Sequence, residues 1–299
     1  MAQGDRAESK RSGLIGTLDR YLVALAANDP SGLPLAAGAR FTENGRALAL
    51  GEGLWSTASG IPDHDYAYVE DAVAGQIGWL GALDEGGRPA VLFVRLGVRD
   101  GLIVEIETVV RREAPRLYDP ANMSGPRSIV FDTLDPAERS ARGQLTAIAH
   151  GYFDAIERQD ADLIAIREDC LRIENGSQTV LVADVSAFAG SPAELIFPMS
   201  VREQVRSGYV AYIDAVRDRR VVAVDEARGL VAMVVVFDHP ARVRSVAVAG
   251  IGEVELPPYH QSPNSMLIAE LFKVRAGQIE HIEAVLEAVP FGAPAGWEA

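Results

Sequence analysis

The residues best equipped for chemistry lie near the end of the chain, in AGQIEHIEAVL at 276–286. His281 and Glu283 are two apart in a β-branched stretch, so a strand here puts both on one face, with Cβ atoms roughly 6–7 Å apart. In an apolar cavity the carboxylate's pKa rises, and an adjacent imidazole can share its proton, giving an acid and a base near neutral pH. The competing reading is a charged outer face with Lys273 and Arg275 as ion partners. DGLIVEIETVV at 100–110 has the same form, with Glu105 and Glu107 in the matching places. Two glutamates there suit a solvated face, or one paired with Arg95 or Arg111.

Further candidates surround this pair. Tyr209 and Tyr212, in REQVRSGYVAYIDAVRDRR, offer a substrate both ring faces and hydroxyls, or pack in a core; helix and strand readings compete there. Tyr259 and His260 in PPYHQSP fit a surface loop, or an arm that reaches a pocket. Asn175, in the ENG tripeptide at 174–176, can orient a substrate hydroxyl, whereas Gly176 fits a turn. His239, His260 and His281 are spaced by 21 residues each time, which matches no ligand pattern, and no metal is expected. The Gly-rich GEGLWSTASG lacks the Gly-Lys-Ser/Thr ending of a phosphate loop, and no Gly-x-Ser-x-Gly elbow occurs. Glu168 and Asp169 disfavour a thiolate at Cys170. No cofactor is expected.

The elements that must position these groups occur twice. At an offset of 131 residues Tyr21 meets Tyr152, Leu25 meets Ile156, Asp29 meets Asp160, and ENG at 43–45 meets ENG at 174–176. Near the ends the offset is 176: Ile103 meets Ile279, Ile106 meets Ile282, and Glu107 meets Glu283. The second copy therefore carries about 45 extra residues between these anchors. Each copy opens with an amphipathic helix, marked by Leu14, Leu18, Tyr21, Leu22 and Leu25 and by Leu145, Ile148, Tyr152 and Ile156. Strands joined by short turns follow. The expected fold is α+β: two tandem cone-shaped domains, each a long N-terminal helix packed on a curved antiparallel sheet. The boundaries read as 1–115 for the first domain, 116–137 for a linker, and 138–299 for the second domain with its insertion and tail. A cone open at one end would present one strand face to its cavity, and His281 and Glu283 are expected on that face in the second copy, which holds the insertion and most histidines. Trp55 and Trp79 read as structural.

The long first helix, the strand order and the terminal GxIxxIE strand resemble the nuclear-transport-factor-like superfamily, which includes ketosteroid isomerase, scytalone dehydratase, limonene epoxide hydrolase and SnoaL-like polyketide cyclases. The resemblance covers both copies. It implies cofactor-free catalysis in a largely apolar pocket by a helix tyrosine, matched by Tyr152 (and Tyr21), with acidic, His or Asn residues on the sheet. The tandem form also resembles lignin γ-formaldehyde lyases, implying a lyase that acts on a small aromatic alcohol or diol and releases stilbenes. An isomerase, cyclase or hydratase would use the same residues, and a ligand-binding or assembly module is the non-catalytic alternative. A net charge of −14 over 299 residues argues against nucleic acid and anionic membranes as partners. A single cysteine, no run near the ~18 apolar residues of a span, and no signal-peptide core before residue 14 predict a cytoplasmic protein with a small aromatic substrate. Sheet faces left open predict either a homodimer or packing of the two copies on each other.

Overall fold

A computed structural model describes residues 13–114 and 117–297; the N-terminal segment read above for a signal sequence lies outside them. Helix α1 (Gly13–Ala26) leads into β1 (Leu35–Glu43), β2 (Arg46–Leu48), the short helix α2 (Leu54–Thr57), β3 (Ala58–Gly60), β4 (Ala67–Asp71), β5 (Gln76–Glu85), β6 (Arg88–Arg99) and β7 (Leu102–Arg111). After a connecting segment holding α3 (Ser128–Phe131), the pattern recurs. It runs through α4 (Arg142–Arg158), β8 (Ile166–Glu174), β9 (Ser177–Gln178), α5 (Pro192–Ile196), α6 (Val201–Arg206), β10 (Ala215–Asp225) and β11 (Leu230–His239). A small hairpin, β12 (Ser245–Val248) and β13 (Gly252–Glu255), then precedes β14 (Asn264–Arg275) and β15 (Gln278–Pro290). No helix among the described residues is long and apolar enough to cross a membrane.

The sheets run β2-β1-β7-β6-β5-β3, with β4 also on β5, and β10-β11-β14-β15-β8-β9. Neither is purely antiparallel, which corrects the expectation. β1 pairs parallel with β7, and β8 with β15, because the first long strand of each copy lies beside the last and runs the same way. The competing reading at 202–220 resolves into one turn-rich stretch: α6, a 3-10 turn at Tyr209–Tyr212, then β10.

Three cores result. Inside the first cone α1 places Leu18, Tyr21 and Leu22 against Leu92, Val94, Leu96, Ile106 and both Trp55 and Trp79. Inside the second, Tyr152, Phe153 and Ile156 of α4 meet Met233, Ile268, Phe272, Ile282 and Leu286. The third core lies between the copies, where the outer sheet faces meet: Val91, Phe93 and Val109 from one, Ala232, Val234, Ala269, Leu271 and Val285 from the other. The sheet faces expected to meet either a second subunit or each other meet within the chain.

Register locates the extra residues of the second copy. Trp79 lies opposite Val94, and Met233 opposite Glu270, so the offset at β5/β11 is 154. Of the 45 extra residues, 23 therefore precede β11, in the stretch holding α5 and α6, and 22 follow it, forming the β12–β13 hairpin and the Tyr259 loop.

Both ENG motifs are two-residue hairpin turns with Asn and Gly at positive φ, +48° and +75° in the first and +48° and +83° in the second. Each asparagine carboxamide bonds the last strand of its own sheet twice: Asn44 to Val110 N and O (2.8 and 3.1 Å), Asn175 to Leu286 N and O (2.9 and 3.1 Å). Each glycine is covered by the chain that leaves the other copy. A Cβ on Gly45 would lie 2.7 Å from Pro294 O in the tail, and one on Gly176 only 2.0 Å from Asp119 O in the connecting segment. Asp119 N donates to Asn175 O and Asn122 Nδ2 to Gly176 O, while Trp297 Nε1 reaches Thr42 Oγ1 at 2.8 Å. The two copies are thus clasped reciprocally. Gly277, at φ +77°, has open space where a Cβ would sit. Both Gly176→Ala and Gly277→Ala pay about 1–2 kcal/mol for a left-handed alanine, and Gly176→Ala also displaces Asp119. Urea unfolding is expected to show Gly176→Ala the more destabilised; equal losses would mean that the clasp adds nothing.

Candidate active site

Alternation along β15 decides where its ionisable pair points. Ile282, Ala284 and Leu286 belong to the cone core, and Val285 to the core between the sheets. His281 and Glu283 share the face of Val285, so they do not look into the cone as expected. They are buried at 3% and 2% exposure between the two copies. His281 Nε2 lies 2.6 Å from Glu283 Oε1; Tyr66 of the first copy donates to Oε2 at 2.7 Å, and Arg127 of the connecting segment stands 2.8 Å from Oε1. Burial and the Glu283 charge raise the Tyr66 pKa. The anticipated ion partners are elsewhere: Lys273 Nζ donates to Asp132 O and Arg228 O, and Arg275 pairs with Glu280 and Glu138. Glu107 mirrors Glu283. Arg95, one of the two partners read from sequence, holds Glu105 and Glu107 at 2.7 Å each, and Arg220 of the second copy closes on Glu107. Arg111, the other, pairs with Glu287.

The second cone is hollow at its wide end. A cavity of about 150 Å³ is lined by Tyr152, Arg172, Glu174, Gln204, Tyr209, Tyr212, His239, Tyr259, His260 and Glu270, among aliphatic and aromatic side chains such as Ile156, Ile196, Phe237, Ile268 and Leu286. Of the expected site residues it gathers Tyr152, Tyr209, Tyr212, Tyr259 and His260. Asn175 is not among them; it is fully buried and its amide is spent on Leu286. His239 and His260 adjoin, with ring centroids 4.4 Å apart, but His281 lies on the far face of the sheet, so the three histidines do not converge.

Sequence reasoning missed the polar centre of this cavity. Glu270 is the one ionisable residue on the cone face of β14, among Met266, Ile268, Phe272 and Val274. Burial, then repulsion from Glu174, pushes its pKa up to about 8 against the opposing pull of Arg172 and a hydrogen bond with Tyr152. Arg172 lies opposite Ile282 and is therefore turned the same way. It donates to Gln204 Oε1 at 2.6 Å and Tyr152 OH at 3.4 Å, and stands 3.4 Å from Glu174. Burial opposes its charge, but Glu174, Tyr152 and Glu270 keep its pKa above the ordinary value. Burial raises Tyr152 as well. At neutral pH the centre thus holds the Arg172 cation, a neutral Glu270 carboxyl and a neutral phenol beside Glu174. The signal was in the repeat: at the offsets of 131 and 176, Arg172 falls on Phe41 and Glu270 on Val94.

Toward the mouth, Tyr212 stacks on His260 (4.5 Å) and His239 (5.4 Å), and His239 Nδ1 meets Asn264 Oδ1 at 3.1 Å. Burial lowers the His239 pKa and, with His239 beside it, pushes His260 down to about 3, so both rings are neutral at pH 7. His260 Nδ1 is buried without a hydrogen-bond partner. Counting six residues from Asn264 to Glu270 at about 3.3 Å each separates the two polar ends by roughly 20 Å of strand.

Residues 138–286, nearly all of the second copy, match a family model described as a domain of unknown function (DUF8021). No curated protein matches the chain. Among solved structures, a proposed polyketide cyclase from Xanthomonas campestris pv. campestris is 19% identical, with 49% of this chain and 92% of that one covered at a TM-score of 0.31. An LEH-like epoxide hydrolase from M. tuberculosis is 12% identical, with 48% and 84% covered and a TM-score of 0.30. A de novo designed protein with a curved β-sheet is 13% identical, with 50% and 88% covered and a TM-score of 0.30. Each match takes in about half of the chain.

The raised Glu270 pKa sets a pH dependence of stability. The folded protein keeps that proton up to about pH 8, whereas an unfolded glutamate releases it near pH 4.3. Between these values the folded state binds more protons, so stability falls as pH rises, by on the order of 5 kcal/mol across the window. Glu270→Gln is expected to remove this loss, gaining on the wild type as pH is raised from 5 to 8 in urea unfolding. A gap between the two proteins that stays constant with pH would contradict the assignment.

Proposed function

We propose that the second copy is a cofactor-independent enzyme that moves protons on a small, largely apolar substrate bearing oxygen functions. Glu270 is the proton-transfer group, with Tyr152 and Arg172 positioned to stabilise charge developing on a substrate oxygen. The observation that carries this reading is a buried carboxyl poised near pH 8 in an apolar cavity, bonded to a phenol and flanked by a guanidinium. A catalytic acid works best when its pKa lies near the working pH, and in a dry site fixed donors need no solvent reorganisation. A cavity near 150 Å³ is about the size that admits benzene, so a single aromatic ring is a fitting inner group. Tyr209 and Tyr212 offer it ring faces, and Tyr259 and His260 stand between it and the outside.

The specific reaction we favour is elimination from an aromatic diol, the γ-formaldehyde lyase type. The protonated Glu270 carboxyl gives its proton to the leaving benzylic hydroxyl. The C–O bond breaks, water departs, and the para-phenol loses its proton as a quinone methide forms. The Glu270 carboxylate then takes the proton of the terminal hydroxyl. As the C–C bond breaks, formaldehyde leaves and the electron pair forms the stilbene double bond while the quinone methide returns to a phenolate, which regains the proton. One carboxyl gives and takes in each turnover, so its protonation state is restored. The phenol supplies the electronic drive, and the protein supplies position and proton transfer.

Formaldehyde and stilbene release from phenolic diaryl diols tests this directly. Glu270→Gln is expected to lower kcat by about 10²-fold or more, whereas Glu283→Gln lowers stability and leaves kcat of the folded enzyme within about threefold, in line with a purely structural role. Absence of release by the wild type removes the elimination reading, and an active Glu270→Gln protein removes the assigned role.

A further inference from the structure

Beyond the cavity at Glu270 lies a second, wider hollow of about 880 Å³. The two share Leu117, Pro192, Pro257, Tyr259, Met266 and Leu286 in their walls, so they adjoin through a neck at which Tyr259 stands 48% exposed. The outer hollow is built from parts that the first copy's own cone lacks. One wall is the inserted hairpin, with Val254 and Leu256, and another is α5 with Leu195. A third comes from the other copy, through Arg111 at the end of β7 and Leu117 of the connecting segment.

Both chambers contain an unsatisfied nitrogen. His260 Nδ1 in the inner wall and Arg111 Nε in the outer wall are buried without hydrogen-bond partners, and a buried polar atom left unpaired is costly. An oxygen on a bound molecule would satisfy each. Charge constrains the occupant further. Glu194, Glu253 and Glu255 line the outer hollow, and the one cation among the described residues there, Arg111, is already paired with Glu287.

We infer that the outer hollow is a second substrate subsite, which holds the distal part of an elongated, uncharged molecule whose inner ring sits at Glu270. Arg111 bonds an oxygen of the distal part, and the neck at Tyr259 sets the length at which the molecule passes from one chamber to the other. This rests on the reading of the inner cavity as the reaction site, and it makes the first copy a contributor of specificity through Arg111. Substrates short enough for the inner cavity alone bind without help from this subsite.

The test is binding of two probes by calorimetry: para-methoxyacetophenone, with one ring, and desoxyanisoin, a ketone that joins two methoxyphenyl rings. Ala288 is exposed and lines only the outer hollow, so Ala288→Trp fills that chamber without touching the inner one. The wild type is expected to bind desoxyanisoin at least tenfold more tightly than the one-ring ketone. Ala288→Trp should weaken desoxyanisoin tenfold or more, and Arg111→Met fivefold or more, with the one-ring ketone held within twofold by both. A wild type that does not prefer desoxyanisoin, or an Ala288→Trp protein that weakens both probes equally or neither, overturns the subsite. An active Glu270→Gln enzyme with these binding results intact would instead overturn the assignment of the reaction and leave the subsite standing.

Discussion

The architecture depends on burying two glutamates between two sheets. Glu107 and Glu283 occupy equivalent places on the last strands of the two copies, and each is 2% exposed. An ionised carboxylate withdrawn from water costs several kcal/mol unless it is paired and hydrogen-bonded. Each is answered across the interface, Glu107 by Arg220 of the second copy and Glu283 by Tyr66 of the first, with Arg127 of the connecting segment beside it. The apolar residues around them would allow the sheets to slide or rotate on one another, because apolar contact is non-directional. The ion pairs do not, since their geometry is met in only one register. With the flat sides of the cones occupied in this way, the cavity of the second cone is left away from the interface between the sheets.

That arrangement explains what could be read from the chain and what could not. Strand positions, the two helices and the duplication were legible because the turn signals are strong and the helix faces keep their period. Orientation was not. A strand with one wet face announces its buried side by alternation, whereas β11, LVAMVVVFDH, is apolar on both sides because it is packed on both. With no polar face for contrast, His281 and Glu283 could be assigned to a common face but not to the cone or to the interface. The reading chose the cone. The same lack of contrast concealed Glu270, which stands alone on its face of β14 and has no polar neighbour at i±2 to draw notice.

Tyr152 lines the cavity for a different reason. A helix stripe has one buried side only, so Leu145, Tyr152 and Ile156 must face the sheet whichever copy they belong to. Asn175 shows the reverse. Its conservation of type between the copies reflects a turn and a strand pin, since Asn44 bonds Val110 in the same way that Asn175 bonds Leu286. Recurrence between the copies is therefore no pointer to chemistry by itself, whereas a polar residue that replaces an apolar one at a matching position is a useful one.

Two of these differences fall together in the cavity. In the first cone Phe41 and Val94 stand where Arg172 and Glu270 stand in the second, and Trp79 fills the space across from Val94. Glu43, the counterpart of Glu174, caps the short α2 helix through Leu54 N at 2.7 Å instead of facing a cavity. A filled cone gains the packing that a hollow one forgoes, and a buried carboxyl held near pH 8 weakens the fold wherever it occurs. With the first copy's core built around Trp55 and Trp79 and joined to the second through a large apolar face, the chain can carry a cavity with two carboxyl groups and a guanidinium in its wall. The stability for such a site need not come from the domain that holds it.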